Sequence, residues 1–333
     1  MYIPYISIYC IFILHTVGII LKRIVKLPTN ISTEELMQTD LGYNYSDDEL
    51  FQDWIRLKRI NKFKTGSQWK PGLKLCQQFC DNFFDIRAVN GQSFNSIKSN
   101  YDEMDKIRRW GLEKMSELYV SWIRKAIYMR WGGHNVSYYR PHLSKQIILH
   151  TGKFMGTLFD PCAGWGGRML GTVAAGWRYI GCEPNKTTYD NLVRMAEFLN
   201  ISNSIELHNV PFEEFDMNGL DKIDIVLTSP PYFNLETYSD DNAQSYIRHN
   251  DFNDWMRNWL MPMIHTCTSK LSDDGLSCWN AMNFKKYSIV EEVIDYHTHN
   301  GFELIHTLGI DSPFVNYKGK LLKKDLTYVF KKQ

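Results

Sequence analysis

The chain has 333 residues, 44% of them hydrophobic, enough for a substantial core in one large or two modest domains, which excludes a disordered protein. Its 38 Lys and Arg stand against 37 Asp and Glu, a formal charge of +1, so a globally basic nucleic-acid binder is excluded and any contact with a polyanion must use a local patch. The 7 cysteines, an odd number scattered through apolar surroundings, predict reduced core thiols rather than a disulfide framework.

Residues 1–21, MYIPYISIYCIFILHTVGIIL, carry no charge and are followed by Lys22, Arg23 and Lys26. That length suits a membrane tether, and basic residues after it would hold the remainder on the cytoplasmic side. A buried N-terminal extension is the alternative, because Pro4, His15 and several Tyr interrupt the run. No basic region precedes it and no small-residue cleavage site follows, which argues against a removable signal peptide. Residues 1–26 are therefore set apart from a mainly helical domain over 27–137 and an α/β domain over 138–333.

In the helical part, Ser32 and Glu35 form a capping-box pattern before an apolar run. The stretch RLKRINKFKTGSQWKPGLK mixes Arg56, Lys58, Arg59, Lys62, Lys64 and Lys70 with Phe63 and Trp69. Cations interleaved with aromatics can grip a phosphate backbone and stack bases, whereas a solvated face with inward aromatics is the plainer reading. Cys76 and Cys80 are one helical turn apart, but no companion pair follows at ligand spacing, so packing is expected and no metal.

After residue 150, short apolar strands alternate with amphipathic helices, which predicts an α/β sheet. The expected strands are 157–160, 179–183, 204–208, 224–228 and 276–280, with 302–308 and 326–330 as an antiparallel closing pair. In FDPCAGWGGR, Gly164, Gly166 and Gly167 fall where the first strand turns into a helix, letting backbone approach a ligand at a helix N-terminus. The turn matches neither the Lys-Ser/Thr phosphate loop nor G-x-G-x-x-G. Asp160 at the strand end would repel a pyrophosphate and suits an ammonium group. Glu183, ending the next strand, is placed to accept from both hydroxyls of a ribose. An amino acid joined to a nucleoside meets these demands, and S-adenosylmethionine is such a molecule.

The fourth strand runs into Ser229-Pro230-Pro231-Tyr232, at the sheet edge where open α/β folds bind ligands. The prolines stiffen the backbone and hold the Pro230 carbonyl in one direction. Tyr232 offers a flat face to a planar ring, while the Ser229 oxygen and the Pro230 carbonyl accept from an exocyclic amine. Two such acceptors favour a pyramidal nitrogen whose lone pair can meet the sulfonium methyl, a contact tighter in the transition state than before it.

DPCAGWGG followed by SPPY resembles the S-adenosylmethionine-dependent amino-methyltransferases of DNA, over roughly residues 138–333. The resemblance implies a seven-stranded Rossmann-like methyltransferase sheet, mostly parallel with an antiparallel closing strand, preceded by a helical domain. It also implies methionine contacts from Asp160, Pro161, Gly164 and Gly166, a ribose contact from Glu183, and an adenine contact from Phe212 within Val210 to Glu213. Pro141 and Lys145 complete the cofactor pocket on this reading, and Ser229 to Tyr232 form the catalytic loop around a base flipped out of double-stranded DNA. Arg168 follows the glycines where the family commonly has Thr, so the methionine carboxylate is held differently. Ser at the head of SPPY favours cytosine-N4 over adenine-N6. Cytosine-C5 chemistry is excluded because Cys162 lies in the cofactor turn rather than after the fourth strand. The alternatives are RNA base methylation, for instance at the guanine amino group, and an inactive cofactor-binding module. The implied setting is the cytoplasm or nucleoid, with a membrane tether only through residues 1–21.

Overall fold

The computed structural model describes residues 25–62, 64, 66, 68–132, 136–283, 287–309, 315–316 and 325–333. The apolar segment 1–21 and Phe63 lie outside the described residues. Among those described, no helix is long and apolar enough to cross a membrane.

The apolar runs become strands: β1 Thr157–Asp160, β2 Arg178–Cys182, β3 Ile205–His208, β4 Ile223–Thr228, β5 Leu271–Ala281, β6 Phe302–Leu308, β7 Val315–Asn316 and β8 Leu326–Lys332. Leu158, Phe159, Ile180, Ile225, Val226 and Leu227 are buried at 1% exposure or less, as expected for central strands covered on both faces. The sheet order is β3-β2-β1-β4-β5-β8-β6-β7. Pairing is parallel from β3 to β5, and β8 runs antiparallel to both β5 and β6. This is the mostly parallel Rossmann-like sheet expected from the sequence, with the antiparallel closing pair realised as β6 and β8. The two-residue β7 makes an eighth strand.

The chain winds outward from β1 to β3, then crosses back to β4 on the other side of β1. That reversal leaves a crevice beyond the C-terminal ends of β1 and β4, where a ligand enters without displacing a crossover. The motifs at residues 160–168 and 229–232 therefore start from neighbouring strands.

The described residues divide into two compact units. One, up to Leu41 and from Lys98 to Tyr128, packs the helix Thr33–Gln38 against Tyr101–Lys114. Ser32 caps the first of these helices with both bonds of the capping box. Thr33 donates to Asp105 at 2.9 Å and accepts from Arg108 at 3.0 Å, and Trp110 meets Trp122 at 5.0 Å.

The other unit, residues 42–97 and 129–333, holds the sheet. Residues 42–97, which composition groups with the helical half, pack in the same unit as the strands. Here α1 (Asp47–Lys58) starts on a second capping box, Ser46 with Glu49, and α2 (Leu73–Phe79) follows. Helices α3 (Pro141–His150), α4 (Gly167–Ala174), α5 (Lys186–Phe198), α6 (Met261–Ser269) and α7 (Ile289–His299) complete its frame. The buried face of α5 includes Thr188, Asn191, Leu192, Met195 and Ala196. Thr188 and Asn191 turn inward beside the apolar residues because they hydrogen-bond Asn82, at 2.7 and 3.1 Å.

Candidate active site

An open cleft with about 1160 Å³ of empty space lies at the β1/β4 reversal, and Pro161, Gly164, Glu183, Phe212 and Ser229 to Tyr232 all line it. Eight of the expected site residues thus share one wall system, although they come from four separate strand ends.

The turn after β1 is fastened from below. Asp160 is fully buried, and its Oδ2 accepts from Arg168 Nε at 2.7 Å and from Tyr179 OH at 2.9 Å. Arg168 Nη2 donates to the carbonyls of Cys162 and Ala163, tying the loop to the ion pair. Asp160 does not line the cleft, so its expected contact with an ammonium group is corrected to a strut under the loop. A carboxylate at zero exposure must be paired, and Arg168, in the first turn of α4, supplies the partner.

Gly164 turns at φ +57° and donates its N–H to Glu183 Oε2 at 2.8 Å, while Asn185 N donates to Oε1 at 2.9 Å. Burial pushes the Glu183 carboxyl up to about 7, against the pull of these two N–H groups. Gly166 adopts φ +78° as the residue before α4 and faces Leu192 instead of the cleft; a Cβ there would sit 2.8 Å from Leu192 Cδ2. The close approach of Leu192 accounts for glycine at this position.

Pro141 and Lys145 also fall outside the cleft. Pro141 opens α3 and packs under Gly72. Lys145 Nζ, 3% exposed as a residue, donates to the carbonyls of Leu57 at 3.1 Å and Lys58 at 2.7 Å. A cation over the last carbonyls of α1 caps that helix, and burial with Lys58 nearby pulls the ammonium down to about 8.

On the other wall, Tyr232 is 8% exposed and donates to Asp325 Oδ1 at 2.7 Å. Asn280 Nδ2 donates to Tyr232 OH at 2.8 Å and to Ser229 Oγ at 3.4 Å, and bonds Asp325 as well. Thr327 donates to Asn280 Oδ1 at 3.0 Å and meets Tyr139 OH at 3.0 Å. The Ser229 and Tyr232 side chains are thus held by Asn280 of β5 and by Asp325 at the head of β8. Phe233, next in the chain, has φ +53°, a left-handed conformation that is an outlier for a bulky residue. Its ring is held in an aromatic cluster by Tyr287, Phe252 and Trp255 at 5.3 to 5.8 Å. Strain of this kind persists only where packing over-determines it, and it concentrates at functional loops.

Several cleft residues were not assigned a role from the sequence. Asn82 and Ile86 come from the stretch after α2, and Trp165 packs against Phe83, Tyr138 and Tyr238 at 5.1 to 5.7 Å. Glu236 and Asp325 line the cleft as well. An acid seven positions after Ser229, in a loop otherwise rich in aromatics, was the available signal for Glu236. Cys162 is half-buried with its thiol pushed well up by burial, so it offers no thiolate.

Of the two aromatics in the basic stretch, Trp69 is half-buried and rests on His142 at 4.6 Å, and Phe63 is not among the described residues. Arg56, Lys58, Arg59, Lys62 and Lys64 stay exposed, and from Trp54 to Cys80 there is no Asp or Glu.

Neither a protein-family model nor a curated protein matches the sequence. Similar solved structures include a TehB-like SAM-dependent methyltransferase from Corynebacterium glutamicum, at 14% identity over 63% of this chain and 97% of that one, with a TM-score of 0.40. A SAM-dependent O-methyltransferase from Thermotoga maritima matches at 11% identity over 59% and 67%, also with a TM-score of 0.40. TrmN from Thermus thermophilus matches at 13% identity over 60% of this chain and a TM-score of 0.40, and the chain spans 51% of its length.

Proposed function

We propose that the protein transfers a methyl group from S-adenosylmethionine to the exocyclic amino nitrogen of a base in DNA, with cytosine-N4 favoured over adenine-N6. The observation that supports this reading most is that Ser229 to Tyr232 and the Gly164/Glu183 turn, far apart in sequence, line one cleft.

The cleft chemistry suits the cofactor. Glu183 presents a carboxyl fixed by two backbone N–H groups, with lone pairs left for a ribose. Phe212, 8% exposed, supplies an apolar wall for an adenine ring. Arg168 spends Nε and Nη2 on Asp160 and the loop carbonyls, which leaves Nη1 for a carboxylate where the resembled family commonly has Thr. Bound there, S-adenosylmethionine supplies an electrophilic methyl on a sulfonium. On the opposite wall, the Ser229 oxygen and the Pro230 carbonyl accept the N–H bonds of the incoming amine, and Tyr232 supports the ring. Asn280 and Asp325 keep that wall from relaxing, so the acceptors are in place before the base arrives.

DNA as the substrate is supported by the resemblance of SPPY and by the exposed cations from Arg56 to Lys64, which can neutralise phosphates without reading sequence. The test is to incubate the full chain with radiolabelled S-adenosylmethionine and unmodified double-stranded DNA or structured RNA, then identify the labelled nucleoside. Label in N4-methylcytosine or N6-methyladenine is expected. Label only in RNA would overturn the substrate, and cofactor binding without transfer to either would overturn the activity.

A further inference from the structure

We propose that Glu236 reads the ring nitrogen beside the target amine: as a neutral acid it donates a hydrogen bond to N3 of cytosine or N1 of adenine and so turns away bases that present an N–H there. This deepens the function proposed above and rests on it.

Glu236 lines the same cleft as Ser229, Pro230 and Tyr232, yet it is only 7% exposed. Its Oε2 accepts from Tyr238 OH. Its Oε1 has no hydrogen-bond partner among the described residues and is absent from the fully enclosed polar atoms left without one, so it faces the open space. A nearly buried carboxyl with one neutral partner and a second oxygen turned to a cleft is unfinished without a ligand.

The neighbours decide which proton state it holds. The titratable groups facing Glu236 are Tyr238 and Tyr232 from its own loop and Asp325 at the head of β8; no Lys, Arg or His pairs with it among the described residues. Burial, with Asp325 adding to it, pushes the carboxyl up to about 7. Because Tyr238 donates to Oε2, the proton of the acid sits on Oε1, the oxygen that faces the cleft. A donor at that place matches cytosine N3 and adenine N1, both acceptors. The ionised carboxylate would present two acceptors, the complement of guanine N1–H or thymine N3–H. One group thus separates an amine next to a ring acceptor from one next to a ring N–H.

The test measures binding of the full chain to fluorescent oligo(dC) and oligo(dT) of equal length at one salt concentration, so that phosphate contacts cancel in the ratio. The two bases differ at the ring nitrogen in question and at the C4 substituent, whose amine the Ser229 and Pro230 acceptors also favour, so the share owed to Glu236 is the part that changes with pH and with substitution of Glu236. A dC preference of about tenfold is expected near pH 6, the size of one good base-edge contact, shrinking severalfold near pH 8. In Glu236→Gln the amide oxygen takes the Tyr238 bond and its NH₂ faces the cleft, so the preference is expected to persist at both pH values. Glu236→Ala should cut it to the smaller, pH-independent preference that the Ser229 and Pro230 acceptors give the cytosine amine. A preference that grows with pH, a Gln variant that behaves like Ala, or an Ala variant that keeps the wild-type ratio would overturn the inference. If the ratio follows Glu236 while no nucleic acid is methylated, the proposed activity falls and this subsite stands. If cytosine or adenine is methylated with a ratio indifferent to Glu236, only this inference falls.

Discussion

The two walls of the cleft are built on opposite plans. In the cofactor turn, 160–168, polar groups are committed before any ligand arrives: Asp160 to Arg168 and Tyr179, Glu183 to two N–H groups. In the loop 229–238, the backbone is strained at Phe233, and Glu236 keeps an oxygen with no partner among the described residues. The turn carries its electrostatics internally and can bind a small cofactor with little rearrangement. The loop is held by residues from β5 and β8, and on the reading proposed above it leaves its last hydrogen bonds to the substrate.

Breaking the turn should have the largest effect. Asp160→Ala strands the Arg168 guanidinium at 4% exposure, and removing one partner of a buried pair costs about 3–5 kcal/mol. The denaturant midpoint should fall accordingly, and cofactor binding with it. A midpoint close to wild type would mean that the ion pair is not what holds the turn.

The next effect is a pH dependence shared by both walls. Glu183 and Glu236 sit near 7 in the folded chain against about 4.5 when exposed. Their folded forms hold the proton more tightly, so their stabilising contribution is complete below about pH 4.5 and is lost as pH rises through about 7. The loss is on the order of 3 kcal/mol per group. Thermal midpoints should decline over that window in the ligand-free protein, and Glu236→Gln should flatten the decline. A flat wild-type curve would show that both carboxyls ionise freely.

Tyr232→Ala should separate the walls functionally. It removes the ring support and the bond to Asp325, so kcat/KM should fall by about 100-fold, a loss near 2.7 kcal/mol. Cofactor affinity should stay within about threefold, because the turn does not use Tyr232. Loss of cofactor affinity in this variant would erase the division drawn here.

The smallest effect lies outside both walls and serves as a control. Lys62→Gln with Lys64→Gln should weaken DNA binding equally for all sequences and reduce the salt slope by about one unit for each lost phosphate contact. A change in base preference instead would move recognition onto this stretch.

The sequence made the sheet readable because burial on both faces leaves continuous apolar runs, as in Leu158–Phe159 and Ile225 to Leu227. Both helix starts at Ser32 and Ser46 are likewise legible through their capping boxes. Within the site, the motif residues at strand ends were legible, whereas their supports were not. Asn280 and Asp325 reach Tyr232 across 48 and 93 positions, a distance no local pattern encodes. Asp160 and Lys145 were visible as charges, but their partners were fixed only by packing: Arg168 beneath the turn, and the α1 carbonyls behind α3. Charge at a strand end says that a partner exists, and it does not say whether the partner is a ligand or the protein itself.

The reversed strand β8 carries a consequence for folding. It follows β6 in the chain yet lies between β5 and β6, so those two strands cannot hydrogen-bond across the sheet until β8 is inserted. Phe330 in β8 stacks on His297 at 3.9 Å, and Trp279 in β5 pairs with Tyr328. Insertion therefore closes a slot lined by two apolar strand edges, a long-range step that is slow and exposed to mispairing while it is open. Because Asp325 and Thr327 ride on that strand, the base-side wall is assembled only when the slot shuts, and a kinetic trace of Trp279 burial would time the birth of the site.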